Sequence, residues 1–402
     1  MLLQPPPLAL YVHLPWCVRK CPYCDFNSHA IDAPVPEQRY VAALLRDLEL
    51  QAPRVSGREV VSVFLGGGTP SLFSPRAIGD LLAGVRSRIA CPTPVEVTME
   101  ANPGTIERGR FAEYRAAGIN RVSLGGQSFD ARHLAALGRI HSPGETHRAV
   151  EELHAAGLAN FNIDLMYGLP AQTLEEAEAD VQTALALGPA HISHYQLTLE
   201  PGTVFFHRPP ALPDEDTCWE MQVRCQARLA GAGFSQYEIS AYAREGRRCV
   251  HNLNYWEFGD YVGIGAGAHG KLTHAPGGTV SRTTHARQPR QYQASIDESR
   301  VVALDLLDPS QLPFEFMLNA LRLVDGFAAE IFTPRTGLPL QAIEPTLRIA
   351  MERGLLEAAV RGQLRPTALG LRFLNDLQAL FLQALPIEGQ PVRNAATAAN
   401  PR

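Results

Sequence analysis

Short apolar segments that alternate with helical segments constrain the fold of this chain more than any other feature of its sequence. Six stretches are short, rich in β-branched or apolar residues, and bounded by Gly, Pro or Asn, as buried strands are. They are Leu8–Leu14, Val60–Leu65, Val95–Glu100, Arg121–Gly125, Phe161–Tyr167 and His191–Leu199. The sequence therefore predicts six buried strands in the first half of the chain.

Segments with apolar residues at helical spacing lie between these strands. They are Glu37–Leu50, Ser74–Arg88, Thr105–Ala117, Pro143–Ala156 and Thr173–Leu187. Alternating β and α units predict an α/β fold in which helices cover a parallel sheet. Six units suggest a partial (β/α)6 barrel of the TIM kind, although the pattern alone does not separate it from an open doubly wound sheet.

The pattern weakens after Phe234. Residues 235–272 hold aromatics and glycines, and the polar stretch Thr273–Arg290 is interpreted as a loop. Helical periodicity returns after Pro309, and a small hairpin is predicted around Gly354 and Gln363, which together indicate a mainly helical, winged-helix-like domain. The predicted helices are Leu312–Leu323, Leu340–Arg353 and Leu369–Leu382. We therefore expect a core barrel over residues 1–234, an extension over 235–300, the C-terminal domain over 301–388, and a disordered tail over 389–402.

The composition excludes some classes of function. The chain has 402 residues, of which 46% are hydrophobic and 19% charged, and its net charge is −5. No run of Lys or Arg suggests nucleic-acid binding, and the winged-helix-like segment lacks a basic face. The N-terminus has no signal-peptide pattern, and no window approaches the roughly 18 apolar residues of a membrane span. We expect a cytoplasmic protein that binds no nucleic acid.

Three cysteines lie within eight residues directly after the first predicted strand. Cys17, Cys21 and Cys24 have the spacing C-x3-C-x2-C, which can supply three thiolates to a [4Fe–4S] cluster and leave one iron open. An open iron can chelate a small ligand through an amine and a carboxylate. The alternative is a zinc site completed by His13 or His29, but structural zinc prefers paired knuckles and a second knuckle is absent.

This spacing resembles that of the radical SAM superfamily. In that family the open iron binds S-adenosylmethionine (SAM), and an electron from the cluster cleaves SAM to a 5′-deoxyadenosyl radical. The resemblance implies a radical SAM barrel, a [4Fe–4S] cluster, SAM, and a reductant such as flavodoxin or ferredoxin.

Polar and glycine residues follow the later strands and would meet at the mouth of a barrel, where ligands bind. Three glycines, Gly66 to Gly68, follow the second strand and would let the backbone approach a ligand closely. The order of motifs is similar to that of the oxygen-independent coproporphyrinogen III oxidase-like branch of the superfamily. That resemblance places a set of residues in the SAM pocket, with Glu100 at the amino group and Asp164 at the ribose or adenosine. The set is Tyr11, Tyr23, Gly67, Gly68, Thr69, Glu100, Gln127, Arg139 and Asp164. Gly126 is a departure, since the family more often has valine there.

Two features resemble the haem chaperones of this branch rather than its dehydrogenases. The dehydrogenases carry a further Cys two residues after the third cluster Cys, where this chain has Phe26. The segment from His251 to Trp256 reads H-N-x-x-Y-W. A neutral imidazole is a common haem ligand, and Tyr255 and Trp256 could pack on a macrocycle. Cys249 is a second, less supported contact. The alternative is a histidine that caps a turn while the aromatics fill a domain junction.

Two functions therefore remain open. The first is a haem chaperone that carries a cluster with exchangeable SAM and transfers haem to an acceptor protein, with transient association with membrane acceptors allowed. The second is a radical SAM dehydrogenase that oxidatively decarboxylates the propionates of coproporphyrinogen III. Phe26 and the His251 segment favour the first, so enzymatic activity is doubtful.

Overall fold

The core of the molecule is a row of six parallel strands. A computed structural model describes residues 3–105, 110–299, 303–359 and 362–382. The six strands lie side by side in chain order and are parallel throughout. They are β1 Leu8–Leu14, β2 Val60–Gly67, β3 Glu96–Ala101, β4 Arg121–Gln127, β5 Phe161–Tyr167 and β6 His191–Gln196. All six predicted strands are present, and the predicted α/β fold with a parallel sheet is confirmed.

Helices connect these strands and cover the outside of the sheet. They are α1 Glu37–Gln51, α2 Pro75–Arg86, α3 Arg110–Ala117, α4 Ala131–Ala136, α5 Pro143–Ala155, α6 Leu174–Ala186, α7 Val204–His207 and α8 Glu215–Gly231. Local sequence fixes several starts: the Ser74 hydroxyl accepts from the Ala77 amide at 3.2 Å, and Thr173 forms a capping box with Glu176. The helix predicted over Thr105–Ala117 is described only from Arg110, after a 3-10 turn at Pro103–Thr105.

The two faces of the core strands differ in chemistry. Alternate residues of β1 (Leu8, Leu10, Val12 and Leu14) belong to the main hydrophobic core, which the helices cover. Residues on the other face point into the barrel and include Tyr11 of β1, Glu100 of β3 and Asp164 of β5, which line a cavity. A strand alternates its side chains between faces, so each strand supplies both the core and the cavity.

Further strands extend the sheet beyond the six. On one edge, β9 (Asp260–Ile264) pairs in parallel with β1, and three further strands are added to it in antiparallel order. On the other edge, β8 (Ala241–Ala243) pairs with β6 in antiparallel orientation. The added strands are β7 Ser235–Glu238, β8 Ala241–Ala243, β9 Asp260–Ile264, β10 His269–His274, β11 Thr279–Thr284 and β12 Ala303–Leu306. The predicted loop over Thr273–Arg290 is therefore wrong. Most of it forms a hairpin and the start of α10 (Pro289–Asp297). Polar residues of the hairpin such as Ser281 and Thr283 are buried.

The C-terminal part is mainly helical, as predicted. Its helices are α11 Leu312–Ala320, α12 Phe332–Thr336, α13 Glu344–Glu352, α14 Ala368–Arg372 and α15 Leu374–Ala379. Its strands, β13 Phe327–Ala328, β14 Leu356–Ala358 and β15 Gln363–Pro366, form a three-stranded antiparallel sheet that includes the expected hairpin. The single helix predicted over Leu369–Leu382 is divided at Phe373. The tail predicted over 389–402 lies outside the described residues, and the bounds of the four predicted segments stay predictions.

This part has its own hydrophobic cluster, which also holds one residue from the N-terminus. Leu3 is buried in it together with Phe316 and Phe332, and the Gln4 amide donates to the Pro334 carbonyl at 2.8 Å. The segment before β1 is therefore fixed by the C-terminal part. Among the described residues, no helix is long and apolar enough to cross a lipid bilayer.

Candidate functional site

One cavity of about 880 Å³ opens at the carboxyl ends of the core strands. Every residue predicted for the cluster and the SAM pocket lines it, as do the predicted haem contacts His251, Tyr255 and Trp256, whereas Cys249, the second haem contact considered, does not. The fifteen that line it are Tyr11, Cys17, Cys21, Tyr23, Cys24, Gly67, Gly68, Thr69, Glu100, Gln127, Arg139, Asp164, His251, Tyr255 and Trp256. The structure thus brings together in one space residues that are up to 245 positions apart in the sequence.

The three cysteines lie in the loop that leaves β1. All three are free thiols, and the Cys24 amide donates to the Cys21 carbonyl at 3.2 Å, which makes the loop compact. The Thr69 hydroxyl donates to Cys17 Sγ at 3.4 Å. Burial raises the thiol pKa of Cys17 and of Cys24, so metal binding would be accompanied by proton release.

The three thiols are not gathered as the ligands of one zinc ion would be. Zinc draws its ligand atoms into one tight tetrahedron. Within the described ranges, the three ligand atoms that lie within 4.8 Å of one another belong to Asp130, His133 and Glu176, and not to the cysteines. The residues proposed to complete a zinc site are also engaged, since His13 Nε2 lies 2.9 Å from the Asn27 carbonyl and His29 Nε2 lies 3.1 Å from the Arg287 carbonyl. The donor set fits three separate corners of a cluster better than one zinc ion.

The glycines after β2 allow two loops to approach each other. Gly67 has a φ of +108°, and a Cβ there would overlap the ring of His13. A Cβ on Gly68 would lie 2.5 Å from the carbonyl oxygen of Trp16, beside Cys17. Packing against β1 and the cysteine loop therefore requires these two glycines, in addition to the ligand contact that the sequence suggested.

Two acidic side chains face the cavity from neighbouring parts of the barrel. The pKa of Glu100 is raised to about 7, first by burial and then by Asp164, while the Gly67 amide, which donates at 3.0 Å, opposes the shift. Burial also raises the pKa of Asp164, although Asn162 donates to it at 2.7 Å and Ser123 at 3.1 Å. Among the described residues, no Lys or Arg forms a salt bridge with either acid, so together they provide a site for a positively charged ligand.

Arg139 and Gln127 complete the mouth. Arg139 donates to the Gly125 carbonyl at 2.8 Å and lies 3.8 Å from Cys21 Sγ, so its positive charge is close to the cysteine loop. Gln127 has a left-handed backbone with a φ of +66°, and Tyr195 donates to its side-chain oxygen at 3.0 Å. Sequence reasoning missed Tyr195, although its place two positions after Ser193 on β6 puts it on the inward face.

The imidazole of His251 is enclosed at the inner end of the cavity. It lies in the helix α9 (Val250–Trp256) and is 1% exposed. Its Nδ1 lies 2.9 Å from the Ser62 hydroxyl, and its Nε2 lies 3.1 Å from the Tyr255 hydroxyl. Burial lowers its pKa to about 3, so the ring is neutral. A haem iron would therefore need one of these two hydroxyls to move.

The start of α9 is held by an acid of β3. The Glu96 carboxylate accepts from the Val250 and His251 amides, each at 3.2 Å, and lies 3.7 Å from Cys249 Sγ. These contacts explain the burial of Cys249, and they satisfy the first amides of a short helix.

The C-terminal part closes one side of the cavity. Arg322 lies over the Trp256 ring at 4.1 Å from its centroid and donates to the Glu238 carboxylate at 3.1 Å. Neither Glu238 nor Arg322 was predicted as a site residue. Their pairing depends on the fold, because 84 positions separate them and no local motif marks either one.

Comparison with known proteins agrees with this geometry. Residues 11–184 match the model of the radical SAM superfamily, and residues 307–384 match that of the HemN C-terminal domain. The chain is 49% identical over 384 residues to Heme chaperone HemW of Escherichia coli (strain K12), which covers 95% of this chain and 100% of that protein. It is 46% identical over 385 residues to Heme chaperone HemW of Haemophilus influenzae, with 94% and 98% covered.

A solved structure supports the fold. Coproporphyrinogen III oxidase (HemN) from Escherichia coli, described as a radical SAM enzyme, superposes with a TM-score of 0.77 and covers 94% of this chain and 90% of that one. Its sequence identity is 21%, so the likeness bears on the fold alone.

Proposed function

This chain belongs to the HemW family of radical SAM proteins, and from that premise we propose that it binds haem and transfers it to acceptor proteins. The observation that carries the proposal is that this chain is similar to proteins named haem chaperones and that the similarity extends over their whole length. Membership of the radical SAM family also implies a [4Fe–4S] cluster and SAM.

We propose that Cys17, Cys21 and Cys24 hold the cluster and that Arg139 offsets part of its negative charge, since its guanidinium lies 3.8 Å from Cys21 Sγ. When bound, the cluster and SAM supply one-electron chemistry at the sulfonium. The residues of this chain orient SAM and exclude water from the cluster face.

The SAM pocket is proposed on the cluster side of the cavity. Glu100 suits the ammonium group because it is buried, and the Gly67 amide fixes its carboxylate at 3.0 Å. Asp164 suits the ribose or adenosine hydroxyls, and Gln127 with Tyr195 forms a polar wall opposite. We further propose Tyr11, Tyr23, Gly68 and Thr69 as the remaining contacts, since all four line the same space.

The haem contact is proposed at His251, Tyr255 and Trp256. Supporting this, all three line the inner cavity, and the neutral ring of His251 is in the state that binds iron. Binding through Nε2 requires the Tyr255 hydroxyl to give up its 3.1 Å contact. A haem-accepting partner and an electron donor complete the proposal.

The alternative, oxidative decarboxylation of coproporphyrinogen III, is less supported. Phe26, in place of the additional Cys of the dehydrogenases, lines the cavity and is 57% exposed. A phenyl ring at that position cannot supply a thiol.

The test uses anaerobically reconstituted full-length protein. Iron counting and haem titration on one sample should give about four irons per chain and a shifted Soret band on haem addition. Cys21→Ala should lose the cluster, while Cys225→Ala, which removes a buried thiol far from the loop, should keep it. Incubation with coproporphyrinogen III, SAM and a reductant should give no decarboxylated product, and such a product would overturn the chaperone proposal.

A further inference from the structure

The inner half of the cavity is polar where a closed barrel of this kind is usually packed with branched apolar side chains. The residues that line it lie near the amino ends of β4, β5 and β6 and point inward. They include Arg121, Asn162, His191 and Ser193. Polar side chains that surround empty volume indicate space for a ligand rather than a core.

Arg121 is the exceptional member of this group. It is 2% exposed, its Nε has no hydrogen-bond partner, and it lines the cavity. Throughout the described part of the chain, no carboxylate lies within 4.0 Å of its guanidinium and no group accepts a hydrogen bond from it. A buried guanidinium with free donors is costly unless a ligand pairs with it.

The acids nearest to Arg121 already have other donors. Glu96 accepts from the two amides at the start of α9, and Asp164 accepts from Asn162 and Ser123. Glu238, across the cavity, pairs with Arg322. Burial lowers the pKa of Arg121, but the nearby Cys249, Glu96, Tyr237 and Asp164 outweigh burial and hold it above its ordinary value, so the group is a cation. Its planar fork of donors therefore remains available, and a carboxylate is the anion whose geometry it matches in two parallel hydrogen bonds.

We propose that Arg121 binds a carboxylate of a ligand held in the inner half of the cavity, and that this carboxylate is a propionate of haem. The inference rests on the proposed haem-chaperone function. It adds an anchor for the anionic edge of the macrocycle, while the rings of Phe64, Tyr255 and Trp256 line the same space and can contact its apolar body.

The carboxylate of SAM is the other source of this chemistry. A SAM molecule that chelates the open iron places its carboxylate beside the cysteines, at the mouth. Arg121 begins β4 and Gln127 ends it, so the strand separates the inner end from the mouth by roughly 20 Å at about 3.3 Å per residue. The position of Arg121 therefore favours haem.

The experiment titrates cluster-loaded protein with haem and with haem dimethyl ester, whose propionates are neutral, and follows the Soret band. Wild type should bind haem at least tenfold more tightly than the diester. Arg121→Gln should lose that preference because its affinity for haem falls while its affinity for the diester stays the same. Arg121→Lys should restore part of the preference. Arg335→Gln is the matched control, because Arg335 also has an unpartnered Nε but does not line the cavity.

Equal binding of haem and diester by wild type overturns the inference, and this comparison does not depend on whether a variant folds. Retention of the tenfold preference by folded Arg121→Gln overturns it as well. A loss of SAM affinity in Arg121→Gln with unchanged haem binding assigns the carboxylate to SAM and rejects haem. In each of these cases wild type still binds haem, so the chaperone function stands; wild type that binds no haem would reject the chaperone function itself.

Discussion

Nε2 of His251 lies 3.1 Å from the hydroxyl of Tyr255, within one turn of the same helix. The Ser62 hydroxyl lies 2.9 Å from the other ring nitrogen, Nδ1. Both nitrogens of the imidazole are therefore hydrogen-bonded within the protein, and neither is free for a ligand. Tyr255 therefore competes with any metal for Nε2.

Removal of this competitor should strengthen haem binding. Tyr255→Phe keeps the ring and removes the hydroxyl, so haem affinity should rise about fivefold, the equivalent of one neutral hydrogen bond of about 1 kcal/mol. His251→Ala should abolish the Soret shift of a histidine-ligated haem. His274→Ala removes an exposed histidine on the far hairpin and serves as the control. An unchanged Soret spectrum in His251→Ala would exclude His251 as the ligand.

SAM affinity should depend on pH through Glu100. Its pKa in the folded protein is about 7, above the ordinary 4.5, so the carboxyl gains a proton as the pH falls below 7 and loses its attraction for an ammonium group. Affinity should therefore rise by about tenfold between pH 6 and pH 8, as expected for one ionising contact. Calorimetric titration of cluster-loaded protein measures it.

Glu100→Gln should bind SAM weakly and show a flat profile over the same range. Glu178→Gln, on the outer face of α6 and paired with Arg228, should keep the wild-type slope. A slope that persists in Glu100→Gln would assign the ionising group elsewhere.

The stability of the folded protein should also respond to Glu100. Since its folded pKa exceeds its unfolded pKa, the folded state holds an extra proton between about pH 4.5 and 7, and this contribution to stability is lost as the pH rises through 7. Glu100→Gln should therefore be more stable than wild type at pH 8 by about 2–3 kcal/mol, and the difference should shrink toward pH 5. Urea denaturation at the two pH values gives the comparison, and a difference that does not change with pH would contradict it.

Gly67 should tolerate substitution poorly. Alanine there adopts a left-handed backbone and also overlaps the His13 ring, so Gly67→Ala should lower the free energy of unfolding by about 3 kcal/mol. Gly188 also has a positive φ, of +69°, which lies closer to the left-handed helical region, and no atom lies within 4 Å of the added carbon, so Gly188→Ala should cost about 1 kcal/mol. Equal losses would mean that backbone conformation alone, without the close approach, explains Gly67.

The effects of substitutions at Glu238 and Arg322 on stability should be coupled. The Glu238 side chain is 4% exposed, so Arg322→Gln leaves a buried carboxylate and should cost about 3 kcal/mol in the free energy of unfolding. The double variant Glu238→Gln with Arg322→Gln removes both charges and should recover part of that loss. A double-mutant cycle that shows simple additivity would indicate that the two side chains act independently.

The sequence predicts the core strands well because their signal is local. Leu8–Leu14 and Phe161–Tyr167 are found with the predicted bounds, since each is an apolar run between helix- and strand-breaking residues. Thr273–Arg290 was mistaken for a loop because its strands are polar and depend on pairing with β9, β10 and β12, which sequence spacing does not reveal. The stability of such a strand comes largely from packing against the strands on either side of it, so its own residues give little signal.

The site divides in the same way. The cysteines and glycines form short motifs with a chemical meaning of their own, and they were predicted together with their cavity. Arg121 and Tyr195 belong to no motif, and their importance follows only from the tertiary fold. The fold buries Arg121 with an unpartnered Nε and directs the Tyr195 hydroxyl toward Gln127.

The bond from the Gln4 amide to the Pro334 carbonyl and the burial of Leu3 affect how the chain is made. On the ribosome, the segment that leads into β1 emerges first, but its partners emerge more than three hundred residues later. Until then, the strand that carries the cysteine loop lacks its upstream anchor. Metal delivered before the C-terminal part is made would therefore meet a cysteine loop on a strand whose upstream contacts have not yet formed.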